Sequence, residues 1–213
     1  FYHDVSDKEG IRSNSVYSLL VDDRGAVWVG HFQAGLDYSL YQNGLFRTYA
    51  YPPLFNSANL SIRSFISRGQ EKVIGSRDGL FYINEATGMV KSFVKPVLTS
   101  DLILTISFYQ GEYYIGTYGG GMMVLNPETL SLKYFSQSDT ELFQKGHIFC
   151  VKPDTKGNLW IGTSQGLFNY NGQTKQIKHF TSANSQLLEG NVYEVSFDST
   201  GKGWIATETG KIG

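Results

Sequence analysis

An all-β fold, a β-propeller of four-stranded antiparallel blades, is predicted for this chain by three observations. A string typified by Asp154-Thr155-Lys156-Gly157-Asn158-Leu159-Trp160-Ile161-Gly162-Thr163-Ser164-Gln165-Gly166-Leu167 has relatives along the whole sequence. The residues two places after its Trp, or after the residue replacing it, are Gly30, Gly75, Gly116, Gly162 and Ala206, at intervals of 45, 41, 46 and 44 residues. Each interval holds four short β-prone runs parted by turn residues, and no stretch shows convincing 3.6-residue periodicity. One such hairpin cannot bury its own apolar face, whereas a row of them can.

Taken in order, the repeats are expected at about 14–50, 59–95, 101–136, 146–181 and 190–213, so about 4.5 are present in a single propeller fragment. The first reads Val16 to Val21, the turn Asp22-Asp23-Arg24-Gly25, Ala26 to Gly30, Gly35 to Tyr38 and Leu45 to Tyr49. The second reads Ile62 to Ser67, Val73-Ile74-Gly75, Gly79 to Ile83 and Val90 to Phe93, with Val73 in the Trp position. Leu104 to Tyr109, Tyr114 to Thr117, Gly121 to Val124 and Leu132 to Phe135 make the third. The fourth contains the typifying string and is the most regular, and the fifth begins at Val192 and carries Asp198, Gly201, Trp204 to Thr207 and Gly210. Thr140 to Gln144 has room for one helical turn at most. The first run of each repeat is expected innermost and the fourth outermost.

Phe1-Tyr2-His3 precedes Val16 much as Lys178-His179-Phe180 precedes Val192, so residues 1–3 are expected to be the outer strand of a preceding blade. Either that strand docks on the incomplete last repeat and closes a small ring, or the piece is an arc of a larger one. Seven blades of about 45 residues need roughly 315, which favours the arc. The chain opens without an initiator Met, without a basic-then-apolar leader and without an apolar run long enough to cross a bilayer. Targeting then belongs to parts beyond this piece.

Hydrophobic content of 41% and aromatic content of 15% place the chain among folded proteins. Eighteen Lys and Arg against nineteen Asp and Glu give a net charge of -1, which removes the electrostatic case for nucleic acid or an anionic membrane as partner. Cys150, the single cysteine, forms no internal disulfide and stands between apolar neighbours as a buried thiol.

The repeated string D-x-x-G-x-[LV]-W-[IV]-G-T-x-x-G-L resembles the two-component regulator propeller repeat. Asp22/Gly25/Trp28/Gly30/Gly35/Leu36 and Asp154/Gly157/Trp160/Gly162/Thr163/Gly166/Leu167 match closely, and Asp198/Gly201/Trp204/Thr207/Gly210 matches with Ala206 in place of Gly. The second and third repeats keep the later Gly-Leu or Gly-Met and lose the Asp and Trp. What the resemblance implies is part of the periplasmic sensor region of a Bacteroides-type, inner-membrane hybrid histidine kinase that detects an oligosaccharide and regulates polysaccharide-utilisation genes. It also implies homodimerisation through the parent protein and membrane attachment only through parts outside this chain. The kinase and DNA-binding parts are not in this sequence.

Most conspicuous residues have a structural reading. The Asp of D-x-x-G is expected to cap its turn, and the Trp to pack between blades. Gly116-Thr117-Tyr118-Gly119-Gly120-Gly121 precedes a strand instead of a helix and lacks a following Lys-Ser/Thr, so it reads as a blade turn and not a phosphate loop. The four histidines lack ligand spacing, and no metal or other cofactor is expected. Asn59-Leu60-Ser61 matches a glycosylation sequon that a bacterial origin would leave silent. Carboxylates fall mostly at turns, which argues against an enzyme.

A propeller presents the turns between second and third strands, and the loops entering each inner strand, on one face. The turns offer His31, Phe32, Gln33, Arg77, Asp78, Tyr118, Ser164, Gln165 and Glu208 as ligand-binding candidates, and the loops carry Arg12, Asn14, Asn59, Arg63, Asp101, His147 and Asn191. These vary while the strands do not, as a scaffold with a customised face requires. The expected function is a non-catalytic, oligosaccharide-sensing propeller. The alternative is a protein-docking or dimerisation scaffold, and after it a propeller lyase or glycosidase.

Overall fold

The turn residues and the β-prone runs between them form 18 strands and one helical turn in a computed structural model, which describes residues 2–7, 9–40, 45–49, 60–135, 142–187 and 189–209. The first blade is β1 (Val16–Val21), β2 (Ala26–His31), β3 (Leu36–Leu40) and β4 (Phe46–Thr48), and the second is β5 (Ile62–Arg68), β6 (Glu71–Ser76), β7 (Leu80–Asn84) and β8 (Met89–Phe93). The third is β9 (Ile103–Tyr109), β10 (Glu112–Thr117), β11 (Met122–Leu125) and β12 (Leu132–Tyr134). After α1 (Leu142–Lys145) comes the fourth, β13 (Ile148–Pro153), β14 (Asn158–Thr163), β15 (Gly166–Asn171) and β16 (Ile177–Phe180). β17 (Val192–Phe197) and β18 (Gly203–Thr207) make a two-stranded fifth sheet. Each four-stranded sheet is an antiparallel meander in chain order, the all-β propeller architecture that the repeat predicts.

Two compact units result, Phe1–Ile103 with the first two blades and Leu104–Gly213 with the other three. In the first, Trp28 packs on Phe65 of the next blade with ring centroids 4.8 Å apart, over a core that includes Ile62, Ile74, Leu36 and Ile83. The second is built on Tyr114, Phe135, Phe143, Ile148, Ile161 and Phe168, while Cys150, Leu167, Val192 and Val195 join its last two sheets.

The period residue of the repeat is Gly for a steric reason. A Cβ at Gly30 would lie 2.9 Å from the carbonyl oxygen of Ile62, one at Gly116 would lie 2.7 Å from Ile148 Cγ2, and one at Gly162 would lie 2.6 Å from the carbonyl oxygen of Val192. In each case the contacted residue is at the start of the next blade's inner strand. At these three positions the glycine is thus the seat on which the first strand of the next blade rests, as an inner strand is expected to do.

Asp22 and Asp154 cap their turns as expected. Oδ1 of Asp22 accepts the backbone N–H groups of Arg24 and Ala26, both at 2.9 Å, and Oδ1 of Asp154 accepts those of Lys156 and Asn158 at 2.9 and 2.8 Å. Their second oxygens take the indole Nε1–H of the repeat's Trp, Trp28 at 3.0 Å and Trp160 at 2.9 Å. One carboxylate therefore ties the turn to the side chain that packs against the next blade. Asp198 also caps its turn, through Thr200 and Lys202. Trp204 instead stands 43% exposed with Lys202 Nζ 4.1 Å from its ring centroid.

Phe1, Asn59, Thr140, Glu141, Gly210 and Gly213 lie outside the described residues. Tyr2 and His3, expected in an outer strand, form none. The His3 N–H donates to Asn14 Oδ1 and its ring Nδ1 bonds the Ile11 carbonyl, both at 2.7 Å, so a local partner satisfies the backbone donor that a strand would have used.

Candidate functional site

In the first, second, fourth and fifth sheets the turn that follows the second strand is clamped to the residue that enters the same sheet's inner strand. The N–H of Phe32 donates to the carbonyl of Ser15 at 2.8 Å, Arg77 to Ser61 at 3.1 Å, Ser164 to His147 at 3.2 Å and Glu208 to Asn191 at 3.0 Å. Adjacent blades are cross-linked in the same way, by Gly35 N–H to the Leu60 carbonyl and by Gly121 N–H to that of Gly146. Within each unit the turns and entry loops thus form one hydrogen-bonded face.

The inner strands add to that face a device absent from the sequence reading. The pairing register slips between Val16 and Ser18, Ile62 and Ser64, Ile148 and Cys150, and Val192 and Glu194. The residues inside these bulges are Tyr17, Arg63, Phe149 and Tyr193. A bulge turns one side chain out of the alternating pattern, and it recurs at the same place in these four sheets. The signal in the sequence is a bulky residue after the first Val or Ile of each inner strand: Val16-Tyr17, Ile62-Arg63, Ile148-Phe149 and Val192-Tyr193.

In the first unit, Tyr17 and Phe32 have ring centroids 5.3 Å apart, and the Arg63 guanidinium lies 4.7 Å from the centroid of Tyr17. Gln33 is exposed, adopts φ 52, and donates its backbone N–H to Ser61 Oγ at 3.2 Å. Arg77 and Asp78 are exposed on the neighbouring turn. Six groups from two blades are gathered here around buried Ser61.

His31, expected among these exposed turn residues, is instead fully buried at the end of β2. Its Nε2–H donates to Asp37 Oδ2 at 2.9 Å, and Asp37 also accepts the backbone N–H and Nε–H of Arg12 at 2.9 and 2.7 Å. Burial by itself would raise the Asp37 carboxyl, but the bonds from His31 and Arg12 outweigh it and hold the group below the ordinary carboxylate value. At the corresponding place in other blades Ser76, Thr117 and Thr163 bond the carbonyl of the turn glycine. His31 is a larger solution to the same position, and it is closed to ligand.

In the second unit, half-exposed Tyr118 stacks on His147 with centroids 4.0 Å apart and planes inclined by 26°. His147 approaches Phe149 at 6.2 Å, and Phe149 meets Tyr193 at 4.8 Å. A continuous aromatic row therefore crosses three blades. The Asn191 Nδ2–H donates to the Tyr193 hydroxyl at 3.1 Å, and Glu208 accepts the Asn191 N–H at 3.5 Å. Ser164 is half-buried, whereas Gln165 is exposed with its carbonyl bonded by His179 Nε2 at 2.7 Å.

Cys150 is buried away from this face. Desolvation, reinforced by the charge of Glu194, pushes its thiol up to about 12, so it stays protonated and a poor nucleophile at neutral pH.

Two segments of the chain, residues 10–33 and 143–165, match the family described as two component regulator propeller, and they cover the opening parts of the first and fourth repeats. No curated protein matches the chain. Among solved structures, the extracellular domain of a hybrid two component system from B. thetaiotaomicron matches with a TM-score of 0.72 at 25% identity, over 98% of this chain and 28% of its own. PorZ, a surface component of the type-IX secretion system of Porphyromonas gingivalis, matches at 0.71 and 17% identity over 92% of this chain and 31% of its own. The WD40 β-propeller domain of Doa1 matches at 0.67 and 14% identity, over 92% and 62%. The chain therefore spans less than a third of the length of the first two, and the last confirms the propeller fold alone.

Proposed function

We propose that this chain is part of a non-catalytic sensor propeller of an extracytoplasmic, two-component type, and that its turn-and-bulge face binds an oligosaccharide. The observation that carries the reading is the aromatic row Tyr118, His147, Phe149 and Tyr193. Sugar rings present apolar C–H faces and polar rims, and a row of partly exposed rings edged by amides such as Gln165 and Asn191 complements both. The similarity to an extracellular domain of a hybrid two component system supports the location and the regulatory role. A binding role is further supported by the commitment of the carboxylates: Asp22, Asp154 and Asp198 cap turns, and Asp37 is locked by His31 and Arg12. Signalling to a kinase and to polysaccharide-utilisation genes then follows if the ligand-bound arrangement, including the geometry of a homodimer, differs in affinity from the free one.

Calorimetric titration of the intact protein with a panel of oligosaccharides tests the proposal. At least one sugar is expected to bind, and Phe149→Ala is expected to weaken it about tenfold, as loss of roughly 1.4 kcal/mol of ring contact does. Heat from no sugar, in a protein that still dimerises, favours the docking scaffold; release of product favours an enzyme.

A further inference from the structure

Three of the four bulged inner-strand residues are aromatic, and the fourth is Arg63. Its surroundings supply ring contact on one side, Tyr17 at 4.7 Å, and among the described residues it makes no ion pair and its buried Nε–H has no acceptor. An arginine fork with a desolvated, unused donor is costly to hold in place, and the planar guanidinium is shaped to receive a two-oxygen anion. Arg77 is added at the same junction, since Ile62 is paired with Ser76 and the Arg77 N–H is bonded to the Ser61 carbonyl. Its exposed side chain also makes no ion pair among the described residues, although Asp78 beside it offsets part of its charge. Arg12, by contrast, is spent on Asp37. This part of the face therefore has one committed guanidinium, Arg12 of the first entry loop, and two uncommitted ones, Arg63 of the β5 bulge and Arg77 of the β6–β7 turn.

We propose that Arg63, seconded by Arg77, makes this part of the face an oxyanion subsite, so that the saccharide taken by the first unit is acidic and bears a carboxylate or a sulfate ester. The inference rests on the saccharide reading above and narrows it. The Tyr17 ring holds the guanidinium plane, the terminal N–H groups of Arg63 bind the anion, and Gln33 is placed for a neighbouring hydroxyl.

The test is a titration of the intact protein with three saccharides of one length: a neutral one, its uronate counterpart and its sulfated counterpart. At least one acidic form is expected to bind tenfold or more tighter than the neutral form, with an advantage that shrinks as salt rises from 50 to about 500 mM. The carboxylate and sulfate arms separate the two sources of the anion. Arg63→Gln is expected to erase the acidic preference, bringing the affinity for the acidic form down to that for the neutral one. Because Arg63 also packs on Tyr17, the exposed Arg77→Gln serves as a second variant and should lower the acidic preference severalfold with an unaltered melting temperature. Equal binding of neutral and acidic forms, or an equal loss of both in Arg63→Gln, overturns the oxyanion subsite while leaving a saccharide sensor. Binding of none of the three, with the wider sugar panel also silent, overturns both.

Discussion

Gly162→Val is expected to destabilise the protein by about 3 kcal/mol, a fall of roughly 6 to 12 °C in melting temperature for a chain of this size. The first added carbon would already lie 2.5 Å from Cys150 Sγ and 2.6 Å from the Val192 carbonyl oxygen, and the latter is main chain that the fifth sheet cannot withdraw without leaving the fourth. Gly157→Ala is the control. Its φ of 79 belongs to the left-handed region, yet nothing lies within 4 Å of an added Cβ, so only backbone strain of roughly 1 kcal/mol is expected. Denaturant unfolding of both variants checks the argument: equal losses would show that conformational freedom, and not the approach of the next blade, selects glycine at the period position.

Asp154→Ala is expected to cost roughly 2 kcal/mol, because it strands the N–H groups of Lys156 and Asn158 together with the Trp160 indole, all of which bond one carboxylate. Asp198→Ala should cost less, since Asp198 is exposed and caps a turn without holding a Trp. The same carboxylates set the acid limit of the fold. Burial tends to raise the Asp154 and Asp22 carboxyls, but the bonds from Asn158, Trp160 and Lys156, and from Trp28, Ala26 and Arg24, together hold them below the ordinary value. A carboxyl whose folded pKa is lowered stabilises the fold above its unfolded pKa of about 4, and that contribution disappears as pH falls through the folded value. Melting temperature should therefore drop steeply below about pH 4. The drop should be shallower in Asp154→Asn, and an unchanged slope in that variant would remove Asp154 from the account.

Which parts of this molecule could be read without coordinates follows from the range of the forces involved. Turn caps, glycine turns and short β-prone runs act within a few residues. Asp22, Gly25, Trp28 and Gly30, repeated at Asp154, Gly157, Trp160 and Gly162, hence announce strand order and blade count directly. The Asp-to-Trp bond was within reach, since a four-residue turn places residues six apart on facing strands. Burial of His31 was not, because it is decided by Asp37 from the next strand and Arg12 from the entry loop.

The binding face divides along the same line. Phe32, Gln33, Arg77, Tyr118 and Gln165 could be placed on turns by the repeat alone, as positions where glycines and polar residues interrupt the strands. Their grouping could not. Whether Tyr17, Arg63, Phe149 and Tyr193 turn toward the rim depends on a one-residue slip in strand pairing, and that slip is set by two chains meeting and not by either one. By itself, then, the sequence determined the propeller, its period and the residues that build each blade, because those are local and repeated about five times. Only the tertiary structure decided which side chains share a surface, how Tyr118 finds His147, and why Arg63 is left with an open fork, because each depends on backbone register and on contacts between blades that occur once.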